Sequence, residues 1–170
     1  TRCPKHVNVA TLNSFGWRLC LKHTGKKFIK VDKDKVQNLY KFDIMHLKKE
    51  MPNDQKAFIM STAHIIQRLV SLAKANMILT PNASDFQELA ESYDLDLNRI
   101  APDKLQLVYE YAVTLFNMSV KRFDVMDFDD QLFFPVYYNW PMPKYDFVFV
   151  DEAQDLNKVQ IELIKRLSQV

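Results

Sequence analysis

An apolar run, Phe147-Val148-Phe149-Val150, ends abruptly in Asp151-Glu152-Ala153-Gln154-Asp155. The run is too short for a helix and reads as a strand buried on both faces, as in a parallel sheet. In open α/β sheets, ligands bind outside the carboxyl ends of the strands, which is where these carboxylates fall. Asp151, the first polar residue after the run, is placed to hold magnesium, directly or through water, beside a triphosphate. Glu152 would then face the γ-phosphate and orient or deprotonate the attacking water. This is the Walker B arrangement. An apolar strand ending in Asp-Glu is also a common loop start or helix cap, so the motif alone leaves both readings open.

A phosphate-cradling loop needs the pattern GxxxxGK followed by Ser or Thr. The chain has only Gly16 and Gly25. Its single Gly-Lys pair, Gly25-Lys26, has Cys20 where the first glycine belongs and Lys27 where the hydroxyl residue belongs. So few glycines also favour helices over glycine-rich turns.

The elements that must position these residues follow from periodicity. Val7 to Leu12 is short, apolar and β-branched, and reads as a strand. Ser14 is a candidate cap for a helix from Phe15 to His23, which Gly25 ends. Phe28 to Val31 reads as a second short strand. From Asp32 onward the pattern turns helical: Val36, Leu39, Tyr40, Ile44 and Leu47, then one helix over about 54–77. Ser84-x-x-Gln87 reads as a capping box. Pro102 suits the first turn of a long helix. Asp127 caps another helix, which Pro135 should kink or shorten. Asn157 caps a last helix with Ile161, Ile164 and Leu167 on its buried side. Strand-like segments thus lie near both ends and the middle is helical.

With 170 residues, 48% of them hydrophobic and 26% charged, the composition is that of a globular protein with a real core. No apolar run approaches the ~18 residues that would span a bilayer. Thr1 to Ala10 has neither the apolar stretch nor the cleavage site of a signal peptide. The expected location is therefore intracellular, in the cytoplasm or with the genome, without a membrane partner. Cys3-x-x-His6 and Cys20-x-x-His23 have zinc-like spacing. A closed site needs four converging ligands, however, and Cys20 and His23 fall on a helix beside Leu19 and Leu21, so zinc is not expected. The net charge of +2 conceals a basic first third and an acidic remainder. Lys33, Lys35, Lys41, Lys48 and Lys49 offer phosphate contacts, although a solvated face is the commoner meaning of such lysines.

Asp151-Glu152-Ala153-Gln154-Asp155, with Gln160 following, resembles motif II of the UvrD/Rep-like superfamily 1 DNA helicases. Ala10-Thr11-Leu12-Asn13-Ser14-Phe15 resembles that family's Thr-Phe-His-Ser motif. Asp127-Phe128-Asp129-Asp130-Gln131-Leu132 looks like its Asp-Phe-x-Asp-Leu segment. The three occur in the family's order and bracket a helical stretch of the size of its insert. The resemblance implies a mostly helical α/β fold: a partial P-loop NTPase (RecA-like) parallel sheet with an inserted helical subdomain. Residues 1–31 would belong to RecA-like core domain 1A and 32–138 to a 1B-like insert. Residues 139–170 would return to the core with the Walker B strand and the helix after it.

The same resemblance implies a fragment of an ATP-dependent DNA helicase, with single-stranded and duplex DNA, ATP and the remainder of the helicase as partners. Asp151 would serve Mg2+, Glu152 the attacking water, and Gln154 would sense the nucleotide and couple it to the DNA side. Thr11, Asn13, Ser14 and Trp17 would lie along the DNA path, with Asn13 replacing the usual His; Phe15 is expected in the core. Mg2+ and ATP belong to the parent enzyme. The isolated chain is expected to bind neither and to be inactive, because the P-loop and the second core domain are missing from its sequence. The alternative is a non-enzymatic nucleic-acid or protein interaction module that keeps a degenerate helicase-like shape.

Overall fold

The computed structural model describes residues 7–43 and 50–169. Helix α1, Leu12–Thr24, stops where sequence chemistry says it must: Gly25 takes the left-handed conformation at φ 67°. Strand β1 (Lys30–Val31) then leads into a helical body. This consists of α2 (Lys35–Phe42), α3 (Asn53–Ser61), α4 (Ala63–Ala75), α5 (Ala83–Ser92) and α6 (Pro102–Val120). Pro102 opens α6, where its missing N–H costs nothing. Strand β2 (Val125–Met126) returns beside β1 in parallel register, with Lys30 opposite Val125 and Val31 opposite Met126. Helices α7 (Phe128–Tyr137) and α8 (Lys158–Leu167) complete the fold.

The short parallel pair closes the neck of the helical body, and Asp32 N–H donates to Met126 O at 2.8 Å just beyond it. α7 lies along α1 on one side and α8 on another. The core is continuous through these layers: Leu19 and Cys20 of α1, Ile66 and Leu69 of α4, Leu115 and Phe116 of α6, and Phe133 and Phe134 of α7 are all buried. A packed apolar core of this kind supplies most of the driving force for folding.

Several expectations need correction. Residues 7–10 do not form a strand, and helix α1 starts at Leu12 with Thr11 as its cap: Thr11 Oγ1 accepts from Ser14 N–H at 3.2 Å. Residues 147–150 are likewise outside any strand, and Phe147 and Phe149 are 81% and 93% exposed. Both segments have β-type composition, but a strand needs a ladder partner, and none pairs with them among the described residues. The sheet is therefore two strands, and the molecule is mostly helical α/β.

The helix expected over 54–77 divides at Thr62, whose hydroxyl donates to Ile59 O at 2.9 Å and competes with the backbone ladder. Asn82, not Ser84, caps α5, with Asp85 as the reciprocal partner. On α8 the buried side is Val159, Leu163 and Leu167, and Ile161 is 40% exposed. Ile44 and Leu47 lie outside the described residues. No helix of the described residues is long and apolar enough to cross a membrane.

Candidate functional site

The apolar run before Asp151 is anchored at its base. Tyr145 N–H donates to Leu167 O at 2.9 Å, Tyr145 bridges Ser168, and Lys144 Nζ donates to Ser168 O at 2.9 Å. The run thus leaves from the C-terminal end of α8. At its far end the chain turns into a 3-10 turn, Ala153–Asp155, and then into α8. Asn157 caps α8 in a reciprocal box: its Oδ1 accepts from Gln160 N–H at 3.0 Å and its N–H donates to Gln160 Oε1 at 2.9 Å. Gln160 in the motif therefore has a local structural task.

Between the anchor and the cap, residues 151–155 are all exposed. Asp151 Oδ1 accepts from the Glu152 N–H at 3.1 Å, which leaves its second oxygen free. Glu152 sits at φ 52°, ψ 42°, a left-handed conformation that costs a non-glycine residue energy. Its carboxylate accepts a short hydrogen bond from Gln154 Nε2. Asp151, Glu152 and Gln154 are thus brought together, with the two carboxylates adjacent and solvated.

No group of three or more His, Cys, Asp or Glu side chains that could enclose a metal occurs among the described residues. Magnesium beside a nucleotide needs only one or two carboxylates, the remaining positions going to water and phosphate oxygens. The donor set of Asp151 and Glu152 fits that use and does not fit an all-protein cage. Of the residues with zinc-like spacing, Cys20 is buried, and that burial pushes its thiol up to about 12, which disfavours the thiolate that zinc needs. His23 stacks on Trp140 with centroids 5.2 Å apart and its Nε2 lies 2.9 Å from Pro141 O. Cys3 and His6 lie outside the described residues.

The second group of candidates begins α1. Thr11 and Ser14 are exposed; Ser14 Oγ donates to Thr11 O at 3.1 Å, so both hydroxyls already serve the helix start. Asn13 turns the other way. Its Nδ2 donates to Phe128 O at 2.9 Å and to Gln131 Oε1 at 3.2 Å, tying α1 to α7. Trp17 is half-buried against the core, and its indole N–H meets no acceptor among the described residues. Phe15 is buried, as expected. The two groups are linked through Asn8, whose Nδ2 donates to Tyr145 Oη at 3.0 Å.

The basic residues divide. Lys33 and Lys41 are exposed, whereas Lys35 is 2% exposed and its Nζ donates to Asp130 Oδ2 at 2.5 Å. Lys35 is therefore not a phosphate contact. Lys48 and Lys49 lie outside the described residues. Asp127 and Asp130 are also spent internally, as the capping box of α7 and as partners of buried lysines. Reading along the chain missed two residues that shape the α1–α7 contact: Gly16, seated against Gln131 O, and Lys74, which binds Asp127 and Asp130. A lone glycine inside a helical pattern signals the first; no local pattern signals the second.

Residues 2–170 match the sequence model described as the UvrD/REP helicase N-terminal domain. No curated protein and no solved structure matched the chain.

Proposed function

Because the chain belongs to the UvrD/REP helicase N-terminal domain family, we propose that it is the motif II portion of an ATP-dependent DNA translocase. Asp151 would hold magnesium on the nucleotide phosphates, and Glu152 would orient the attacking water. Gln154, bonded to Glu152, would relay the state of the nucleotide. Magnesium, when bound, neutralises charge on the transferring phosphate oxygens. The observation that carries this reading is the solvated Asp151-Glu152 pair at the end of an extended apolar run, with Glu152 kept in a costly left-handed conformation. Strain of this kind collects at functional turns.

Thr11 and Ser14 would meet DNA phosphates at the N-terminus of α1, where hydroxyls and the helix dipole suit an anion. Residues 32–138 would form the insert that approaches the duplex, flanked by the two core portions at 1–31 and 139–170. DNA, ATP and the rest of the helicase are then the partners. By itself the chain would not turn ATP over, since phosphoryl transfer needs the phosphate loop and the opposite core domain in place together.

Two assays on the purified chain test this. Mg–ATP turnover should stay at background; robust turnover abolished by Glu152→Gln would overturn the claim that the chain is catalytically incomplete. Fluorescence anisotropy with a labelled oligo(dT) should give binding that weakens with salt and is reduced by Thr11→Ala and Ser14→Ala. Binding indifferent to both substitutions would remove the DNA path from this edge.

A further inference from the structure

Four charged side chains from three helices meet in the interior, away from the Asp151 edge. Lys74, on the last turn of α4, donates to Asp130 Oδ1 at 2.8 Å, Asp127 Oδ2 at 3.0 Å and Ser119 Oγ at 3.1 Å. Lys35, on α2, donates to Asp130 Oδ2 at 2.5 Å, Ser119 O at 2.9 Å and Arg122 O at 3.0 Å. An ammonium carries three N–H groups, so neither lysine has a donor to spare. The cluster is neutral in sum, and each member is less than a tenth exposed.

Burial opposes the charge on Lys74, but the Asp130 and Asp127 carboxylates outweigh it and hold its pKa above the ordinary value. Buried ion clusters are a weak account of stability, because apolar packing of the same volume often does as well. Their distinctive effect is geometric: every donor is satisfied in one arrangement only. Here that arrangement crosses from the helical body to α7. From α7 it continues into α1 through Asn13, bonded to Phe128 O and Gln131 Oε1, and through Gly16 against Gln131 O.

We propose that Lys74 is a positioning residue. Through Asp130 and α7 it clamps the helical body to the α1–α7 pair, so the two move as one unit and the Thr11–Ser14 turn is oriented from α4. That this turn meets DNA rests on the function proposed above; the clamp does not.

Hydrogen–deuterium exchange on the whole chain separates the two. With Lys74→Met, the hydrogen-bonded amides of residues 14–16 and 130–131 should exchange at least ~10-fold faster, while those of α5, which packs on α4 and α6 and carries no cluster member, change by less than ~3-fold. Asn13→Ala, which leaves the cluster intact, should accelerate residues 14–16 more than 130–131. Equal acceleration of α5 and α1, or no acceleration at 14–16, overturns the clamp. Should Lys74→Met lose its cooperative unfolding transition, Ser119→Ala removes one of the three Lys74 bonds and is read in the same way. If the exchange pattern holds but Thr11→Ala leaves oligo(dT) affinity unchanged, the clamp stands and the DNA reading fails.

Discussion

Gly16→Ala is the sharpest test of how α1 meets α7. In an exposed helix this substitution would stabilise by about 1 kcal/mol, because alanine is the better helix former. Here the new Cβ would lie 2.0 Å from Gln131 O and 2.8 Å from Gln131 C, where ordinary contact begins at 3.4 Å. Both obstructing atoms are backbone within a helix, so no rotamer change relieves the clash. The helices would have to separate by on the order of 1 Å, enough to forfeit a quarter to a half of the dispersion energy of contacts across the gap. Overpacking of this type costs about 1–3 kcal/mol and occasionally more. A backbone obstacle belongs at the upper end, leaving a net loss of about 2 kcal/mol after the helix gain.

Urea unfolding measures it. With m near 2 kcal/mol/M, the midpoint should fall by about 1 M. Trp17 on α1 and Trp140 just beyond α7 report from both sides of the contact, and should report one shared transition. A Gly16→Ala protein as stable as the parent, or more so, refutes the reasoning, since only an open position returns the helix-propensity gain. Gly25 gives the contrast: a Cβ there would meet nothing within 4 Å, and what the position requires is the backbone φ of 67°. Gly25→Asn should therefore cost no more than a few tenths of a kcal/mol, because Asn tolerates the left-handed region.

Three further outcomes are expected. Thr11→Ala removes the cap of α1 and should cost about 1 kcal/mol by urea melt; an unchanged midpoint would mean that another group takes over the Ser14 N–H. Glu152→Gly releases the left-handed strain and should raise stability by up to about 1 kcal/mol, seen as a melting temperature higher by ~2–4 °C; a lower melting temperature would deny that the turn is strained. Arg122, hydrogen-bonded to the exposed Asp124, holds that carboxyl down at about 2 against an ordinary 3.8. A depressed carboxyl contributes stability above its unfolded pKa and loses it as pH falls through the folded one. The difference between parent and Asp124→Asn should thus be present at pH 5 and vanish between pH 4 and 2, and it should be small because the pair is solvated; a difference that grows on acidification contradicts the assignment.

Features set by neighbours along the chain were legible in the sequence. Gly25 ends α1, Pro102 opens α6, and Asp127 and Asn157 cap α7 and α8, because a cap needs only residues three or four positions away. The Asp151–Asp155 segment is contiguous and can be picked out along the chain for the same reason; the structure leaves it exposed. What failed depends on partners distant in sequence. Residues 7–12 and 147–150 have strand-forming side chains but no ladder among the described residues. Lys35 reads as a surface cation until Asp130, 95 positions on, is folded against it.

Pro135 and Gly16 make the same point at a single contact. Along the chain each is a helix-weakening residue, and Pro135 suggests a kinked or shortened helix. Yet α7 runs through Pro135 to Tyr137, and a proline at 135 has no N–H to offer the carbonyl four residues back, which is Gln131 O. That carbonyl is the atom against which Gly16 is seated. The proline leaves an oxygen without its usual helical donor, and the glycine, lacking a Cβ, lets the α1 backbone pack against it. Two residues that each weaken their own helix together explain why α1 and α7 can pack so closely, and why Asn13 is near enough to bond Phe128 and Gln131.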